Sequence, residues 1–310
     1  MARCLVLGGN GFIGSHIVDA LAGAEYNVRA FDRFSKEPLF DAKNVEVFTG
    51  DFLNRADLVN ALKNIEYVFH FISTTTPITA EDDPLIDVET NIRMSIELLQ
   101  ECVNARVKRV LFASTGGAIY GISKSSALNE TQLPQPVSPY AIGKLTIEHY
   151  MRYFKLKHGL DSISYRISNP YGERQPLRRK QGVIPIFMEK LYRGESLTVL
   201  GDGSMIRDYI YVKDVAKIIA DTFEADHGAD VYNIGTGTGV SVNELIEKIE
   251  ITSGKHAERQ FIPKPDTFVQ KIILDTSRFA NEYGIGPTTS LEDGLKATWG
   301  YIVAEHERVS

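Results

Sequence analysis

The chain has 310 residues, of which 43% are hydrophobic and 24% charged, with a formal net charge of −6 and a pI near 5.7. This balance offers no electrostatic footprint for DNA or RNA, and no apolar run approaches the length of a membrane span. The length allows a full α/β domain with a smaller companion, or one large domain. Cys4 and Cys102 fall in a strand and a helix pattern, which fits buried free thiols in a reducing compartment. The first strand starts within a few residues of the N-terminus and leaves no room for a signal peptide, so a cytoplasmic location is expected. The seven histidines show no paired ligand spacing, and no metal is expected.

In chain order, the apolar run 4–7 reads as a buried strand. It ends on Gly8, and a helix-period segment beginning Phe12-Ile13 follows at once. Glycines stand between and around them at 8, 9, 11 and 14. Bare backbone at the turn, a glycine in the first helical turn and the free N–H groups of a helix start together favour a pyrophosphate. The next strand, 28–32, ends on Asp32, about 20 residues downstream, where a ribose diol needs an acceptor. A carboxylate there favours NAD over its 2′-phosphorylated form.

Further strand patterns fit near 45–49, 66–71, 109–114 and 162–167, and helix patterns near 12–23, 55–62, 86–106 and 139–157. The alternation predicts βαβ units and a mostly parallel sheet with helices on both faces. After Asn169 the rhythm changes. A Pro/Gly/Arg-rich loop leads to a helix near 184–193, a strand at 197–200 and a turn at 201–203. A buried strand at 231–234 returns to the main sheet. Helices near 241–252 and 290–303 and a strand near 258–262 complete a smaller lobe. It should cap the carboxyl edge of the sheet and leave the site in the cleft between.

Ser138-Pro139 opens the helix that carries Tyr140 and Lys144, one turn apart on one face. A phenol is a poor base at neutral pH, and a nearby ammonium is expected to bring its pKa down. The strand before it ends in Ser114-Thr115-Gly116-Gly117, whose hydroxyls either face the same cleft and share a substrate proton or simply cap the strand end.

In order along the chain, Gly8-x-x-Gly11-x-x-Gly14, Asp32, Gly50-Asp51-Phe52, the strand end before Tyr120-Gly121 and Tyr140-x-x-x-Lys144 resemble the extended short-chain dehydrogenase/reductases. Arg166-Ile-Ser-Asn169, Arg207-Asp-Tyr-Ile-Tyr-Val212 and Tyr232-Asn-Ile-Gly235 resemble that family's nucleotide-sugar branch, above all UDP-glucose (UDP-galactose) 4-epimerases and their N-acetylhexosamine relatives. The resemblance implies a Rossmann-type doubly wound parallel sheet with a smaller C-terminal α/β substrate-binding lobe. Residues 1–169 and 207–238 would form the NAD-binding domain, and 170–206 with 239–310 the nucleotide-sugar lobe.

It also implies roles. Gly8, Gly11, Phe12, Ile13, Gly14 and Asp32 would hold NAD, Asp51 and Phe52 its adenine, and Tyr140 and Lys144 its reactive end. Tyr140 would be the base, helped by Thr115 or Ser114, because Gly116 stands where most 4-epimerases have the sugar-bonding Ser/Thr. Asn169 and Arg207 would face the UDP diphosphate, with a local Arg207–Asp208 ion pair as the bland reading. Gln181 and Val183 fall on the uridine side. Lys264 is the nearest cation where the family has a C-terminal diphosphate-binding Arg. Gly117 and Ala118 replace the acids of 4,6-dehydratases, so C4 epimerisation of a UDP-hexose is the expected reaction. A uronic acid substrate, met by the basic cluster 174–180, a 4-ketoreductase, a C5 epimerase, a dehydratase or a silent NAD-binding protein are the alternatives. The helices near 86–106 and 139–157, with Ile142, Leu145, Tyr150, Met151 and Phe154, would pair two copies into a homodimer, or else simply face the sheet.

Overall fold

The computed structural model describes residues 1–123, 125, 127–176, 182–264 and 269–309. The chain opens with β1 (Arg3–Leu7), α1 (Phe12–Gly23), β2 (Asn27–Asp32), β3 (Val45–Thr49), α2 (Arg55–Ala61) and β4 (Tyr67–His70). It continues through α3 (Pro77–Asp82), α4 (Pro84–Asp87), a π-helical turn (Val88–Ile92), α5 (Arg93–Asn104), β5 (Arg109–Thr115), α6 (Pro139–His158) and β6 (Asp161–Ile167). Then follow β7 (Asn169–Tyr171), α7 (Val183–Arg193), β8 (Leu197–Leu200), β9 (Ile206–Tyr211), α8 (Val212–Thr222) and β10 (Val231–Ile234). The last elements are β11 (Gly239–Ser241), α9 (Val242–Ser253), β12 (Arg259–Ile262), β13 (Lys271–Ile272), α10 (Ser277–Tyr283) and α11 (Leu291–Val309).

Seven strands form one sheet in the order β10-β6-β5-β4-β1-β2-β3, each pair parallel. Parallel pairing needs crossovers, and these cover both faces. Alternation along β1 shows the result. Cys4 and Val6 join Ile17, Leu21, Ile219 and Phe223 in a core under α1 and α8, whereas Leu5 and Leu7 join Leu98, Phe112, Met151 and Phe154 under α5 and α6. The strand order reverses between β1 and β4, which leaves a crevice at the carboxyl ends of those strands. A second sheet runs β11-β9-β13 with β7 paired to β9, and β8 pairs with β12. α7, α9 and α11 pack there around Phe187, Leu245 and Leu295.

Strands β7, β9, β11 and β13 and helices α3 and α10 lie outside the predicted elements, and two further elements differ from expectation. The helix foreseen over 86–106 is broken. Asp83 caps a new start at Pro84, and the wider π turn follows before α5 begins at Arg93. The wide turn places Asp87 and Asn91 together, so that Asn91 donates to Asp87 at 2.8 Å. Helix α8 was not foreseen. Val215, Ala216, Ile218 and Ile219 bury it in the core with α1, a tertiary partnership that local propensity does not announce.

Away from the carboxyl edge, an ionic cluster holds the starts of β5 and β6. Asp161 takes Arg109 at 2.6 Å and Lys155 at 3.2 Å. His227 meets Asp161 at 2.9 Å through Nε2 and the Ala229 carbonyl at 2.8 Å through Nδ1. Both ring nitrogens face acceptors, an arrangement that only the imidazolium satisfies at both ends. Its pKa is raised, first by the Asp161 hydrogen bond. A raised histidine stabilises fully below its unfolded pKa, and that contribution is lost as pH rises through the folded pKa. We expect His227→Gln to lower stability by about 2 kcal/mol in mildly acidic buffer and by much less in alkaline buffer. Denaturant melts at the two pH values check this, and an equal loss at both would refute it.

Candidate active site

The glycine turn is built by close approach. Gly8 lies at φ +81°, and a Cβ on it would stand 3.0 Å from the backbone of Ile72. A Cβ on Gly14 would fall inside contact distance of the Gly8 carbonyl oxygen, so only glycine lets α1 start this near the strand. Gly11 is the N-cap of α1 and provides no side-chain cap. The first-turn N–H groups, which include those of half-buried Phe12 and Ile13, therefore have no side-chain acceptor from the cap residue. Half-buried Asp32 ends β2, and its Oδ2 accepts from the Asn10 N–H at 3.1 Å, which ties the ribose-side carboxylate to the turn. This bare-backbone cradle with a carboxylate at its rim fits a dinucleotide. Asp51 is half-buried, and its Oδ1 accepts from Leu53 N–H at 2.9 Å. The Phe52 ring is packed in the core against His70, with centroids 5.4 Å apart. Any contact Phe52 makes with adenine must therefore come from its backbone.

Ser138 caps α6 by accepting from the Ala141 N–H, and Pro139 occupies its first turn. Half-buried Tyr140 and buried Lys144 follow on one face. Lys144 Nζ donates to the Ala113 carbonyl at 2.9 Å, 4.7 Å from the Phe112 ring centroid and 5.7 Å from that of Tyr140. Burial pushes Lys144 down to about 8, against the pull of Asp87 and Glu148. The expected lowering of Tyr140 is not what the structure holds. Burial, then Asp87, push the phenol up to about 12. The ammonium bonds β5, and a carboxylate that the spacing did not reveal, Asp87, approaches the helix at Gly143.

At the end of β5 the two candidate hydroxyls separate. Ser114 points away from the cleft and donates to Glu148 at 2.5 Å. Glu148 also receives Arg166 through two bonds, of 3.1 and 2.7 Å. Arg166 donates to the Tyr120 hydroxyl, which in turn donates to Asn233 at 2.7 Å. Strand alternation puts Thr115, half-buried, on the opposite side. Gly116 has no room for a hydroxyl-bearing side chain, because a Cβ there would lie 2.5 Å from Leu274 and 2.8 Å from the Arg166 carbonyl. Leu274 had not been singled out from its position in the sequence. Gly117 opens toward Asn169, whose Oδ1 lies 3.4 Å from the position of such a Cβ.

Asn169 donates to the Asp208 carbonyl at 2.9 Å and so joins the main-sheet edge to β9. Arg207 donates to the carbonyls of Ile206 at 2.8 Å and Val269 at 2.6 Å, and burial lowers it to about 10. The local ion-pair reading fails, since the fully buried Asp208 accepts from Thr236, Gly237 and Leu274 instead. Val183 is the first residue of α7, and Gln181 lies outside the described residues. Lys264 is exposed and donates to Gln270 at 3.0 Å. Of the cations in the basic cluster 174–180, Arg174 is the one among the described residues. Arg174 turns to α1 and pairs with Asp19 and Asp41, both at 2.7 Å, and 177–180 lie outside the described residues. Among the described residues no helix is long and apolar enough to cross a membrane.

A nucleotide-binding turn, a Tyr/Lys helix and a capping lobe define a dinucleotide-dependent enzyme of the doubly wound class. The family model for the NAD dependent epimerase/dehydratase family matches residues 4–235, and the chain belongs to that family. It is 33% identical over 294 residues to a putative UDP-glucose 4-epimerase of Methanocaldococcus jannaschii, covering 94% of this chain and 95% of the relative. It is 31% identical to the dTDP-4-dehydro-6-deoxyglucose reductase of Escherichia coli, covering 94% of each. The crystal structure of the Thermotoga maritima UDP-glucose 4-epimerase with UDP-glucose superimposes with a TM-score of 0.91 at 36% identity, covering 98% of this chain and 99% of that one.

Proposed function

We propose that this chain inverts C4 of a UDP-hexose, UDP-glucose/UDP-galactose or their N-acetyl forms, through a transient 4-keto sugar. One observation carries the reading. Lys144, one helical turn from Tyr140, bonds the Ala113 carbonyl two residues before Thr115 at the carboxyl end of β5, while Gly117 and Ala118 offer no acid for elimination. NAD, when bound in the Gly8–Gly14 cradle, supplies the acceptor and donor of the C4 hydride. The Tyr140 phenolate takes the proton of the C4 hydroxyl and returns it after the sugar has turned. The Thr115 hydroxyl bonds the same oxygen, since Ser114 is spent on Glu148. Arg207 and Asn169 anchor the diphosphate, with Val183 on the uridine side. Of the three named relatives, two support epimerisation and one, at comparable identity, 4-ketoreduction, so the reductase is the second reading.

An NMR time course with UDP-galactose and, separately, UDP-N-acetylgalactosamine, without added NAD, decides between them. Appearance of the gluco epimer supports 4-epimerisation, and the faster tube names the preferred sugar. A sustained change in nicotinamide absorbance with a 4-keto sugar, and no epimer, would replace the reading with reduction.

The same reading includes a homodimer. The apolar stripe of α6 divides in two, with Met151 and Phe154 in the core and Ile142, Tyr150 and Tyr153 exposed. Leu85, Ile86 and Val88 are exposed on the segment leading into α5. A second copy covering this patch would remove it from water. Ile142→Asp is expected to convert a dimer to monomers in sedimentation velocity with little change in monomer melting. An unchanged sedimentation profile would remove this patch from the interface.

A further inference from the structure

We infer that Asp87 is a positioning residue of the reaction, a buried counter-charge that fixes the Tyr140–Lys144 face of α6 against the wall of the nucleotide-binding turn. The inference rests on the reading of Tyr140 as the base.

Asp87 is buried, and both donors to its Oδ1 are neutral, Thr75 at 2.6 Å and Asn91 at 2.8 Å. Its Oδ2 occupies the place that a Cβ on Gly143 would take. Tyr140, Gly143 and Lys144 are spaced i, i+3, i+4 and share one helix face, so this carboxylate meets the face that carries the reacting pair. Only glycine at 143 allows the approach. Asn91 also accepts from the Thr74 N–H at 3.0 Å. That fixes the loop after β4, whose Ile72 backbone abuts Gly8. One carboxylate thus registers two halves of the site.

The other charged neighbours do not duplicate it. Glu148, one turn beyond Lys144 on α6, is spent on Arg166 and Ser114. His70 on β4 is buried and is pushed down to about 3 by burial and then by Lys144, so it stays neutral. Arg166 on β6 is held by Glu148. Glu148 shares in keeping Lys144 charged, but Asp87 is the larger pull and the one that also makes the Tyr140 phenolate harder to form.

Asp87→Asn is the test, because its amide oxygen can still accept from Thr75 and Asn91. The tyrosinate absorbance of Tyr140, isolated as the difference from Tyr140→Phe, is expected to appear about one pH unit lower. Both limbs of the kcat profile should move to lower pH with it, while KM for UDP-galactose stays within about threefold. Asp87→Ser, neutral and smaller, should shift the same way and carries the test if Asp87→Asn does not fold. Loss of melting temperature and rate with the tyrosinate titration and pH profile unmoved would reduce Asp87 to a structural role and overturn the inference. Near-normal turnover by Tyr140→Phe would instead remove Tyr140 as base, while the tyrosinate shift would still report whether Asp87 acts on it.

Discussion

Tyr140→Phe is expected to lower kcat by about three orders of magnitude, within the range that a positioned acid–base group supplies. The substitution removes one oxygen and keeps the ring that stands 5.7 Å from Lys144. Lys144 keeps its bond to the Ala113 carbonyl, and the glycine turn and Asp32 lie on other elements. NAD content and melting temperature should therefore match the parent. With only the proton transfer removed, KM for the nucleotide sugar should change little, because the diphosphate contacts assigned to Asn169 and Arg207 are untouched. Steady-state kinetics with a cofactor assay on the same preparation checks both halves. A rate within tenfold of the parent would show that another group takes the proton. A loss of bound NAD would show that the phenol's main work is holding the cofactor.

How far the sequence announced this arrangement depends on the range of the interaction. The parallel sheet, the glycine turn, Asp32 and the Tyr140/Lys144 turn were all legible, because each is written in local period or in a short spacing. What escaped was set by partners distant in the chain. The phenol's upward shift comes from burial and from Asp87, more than fifty positions earlier, brought close by Gly143. The hydroxyl choice at the end of β5 stayed open in the sequence. It narrows once Glu148 claims Ser114 and Leu274 occupies the space over Gly116. A sign of the first was available, since Asp87 and Asn91 are four apart in the segment entering α5. That spacing is common on surface helices, however, and does not show which way the two residues face.

The largest stability effect is expected at Glu148 and Arg166, whose side chains are each only 5% exposed. Removing one partner, as in Glu148→Ala or Arg166→Met, leaves a buried charge without its counterpart and should cost about 3–5 kcal/mol. Glu148→Ala also takes the acceptor from Ser114, and Arg166→Met removes a donor to Tyr120. Replacing both, Glu148→Leu with Arg166→Met, removes both charges together and should recover most of the loss. What remains should be about 1–3 kcal/mol for the hydroxyls left unpaired. A double-mutant cycle by denaturant unfolding measures the coupling directly. Single variants within about 1 kcal/mol of the parent would mean that water solvates the pair, as at exposed ion pairs. The same variants bear on catalysis. Ser114 and Thr115 are consecutive on β5, so a Ser114 hydroxyl released from Glu148 loosens the strand end that presents Thr115. The double variant should therefore regain stability while kcat stays below the parent's. That outcome would place the network's value in aligning the end of β5 more than in holding the fold.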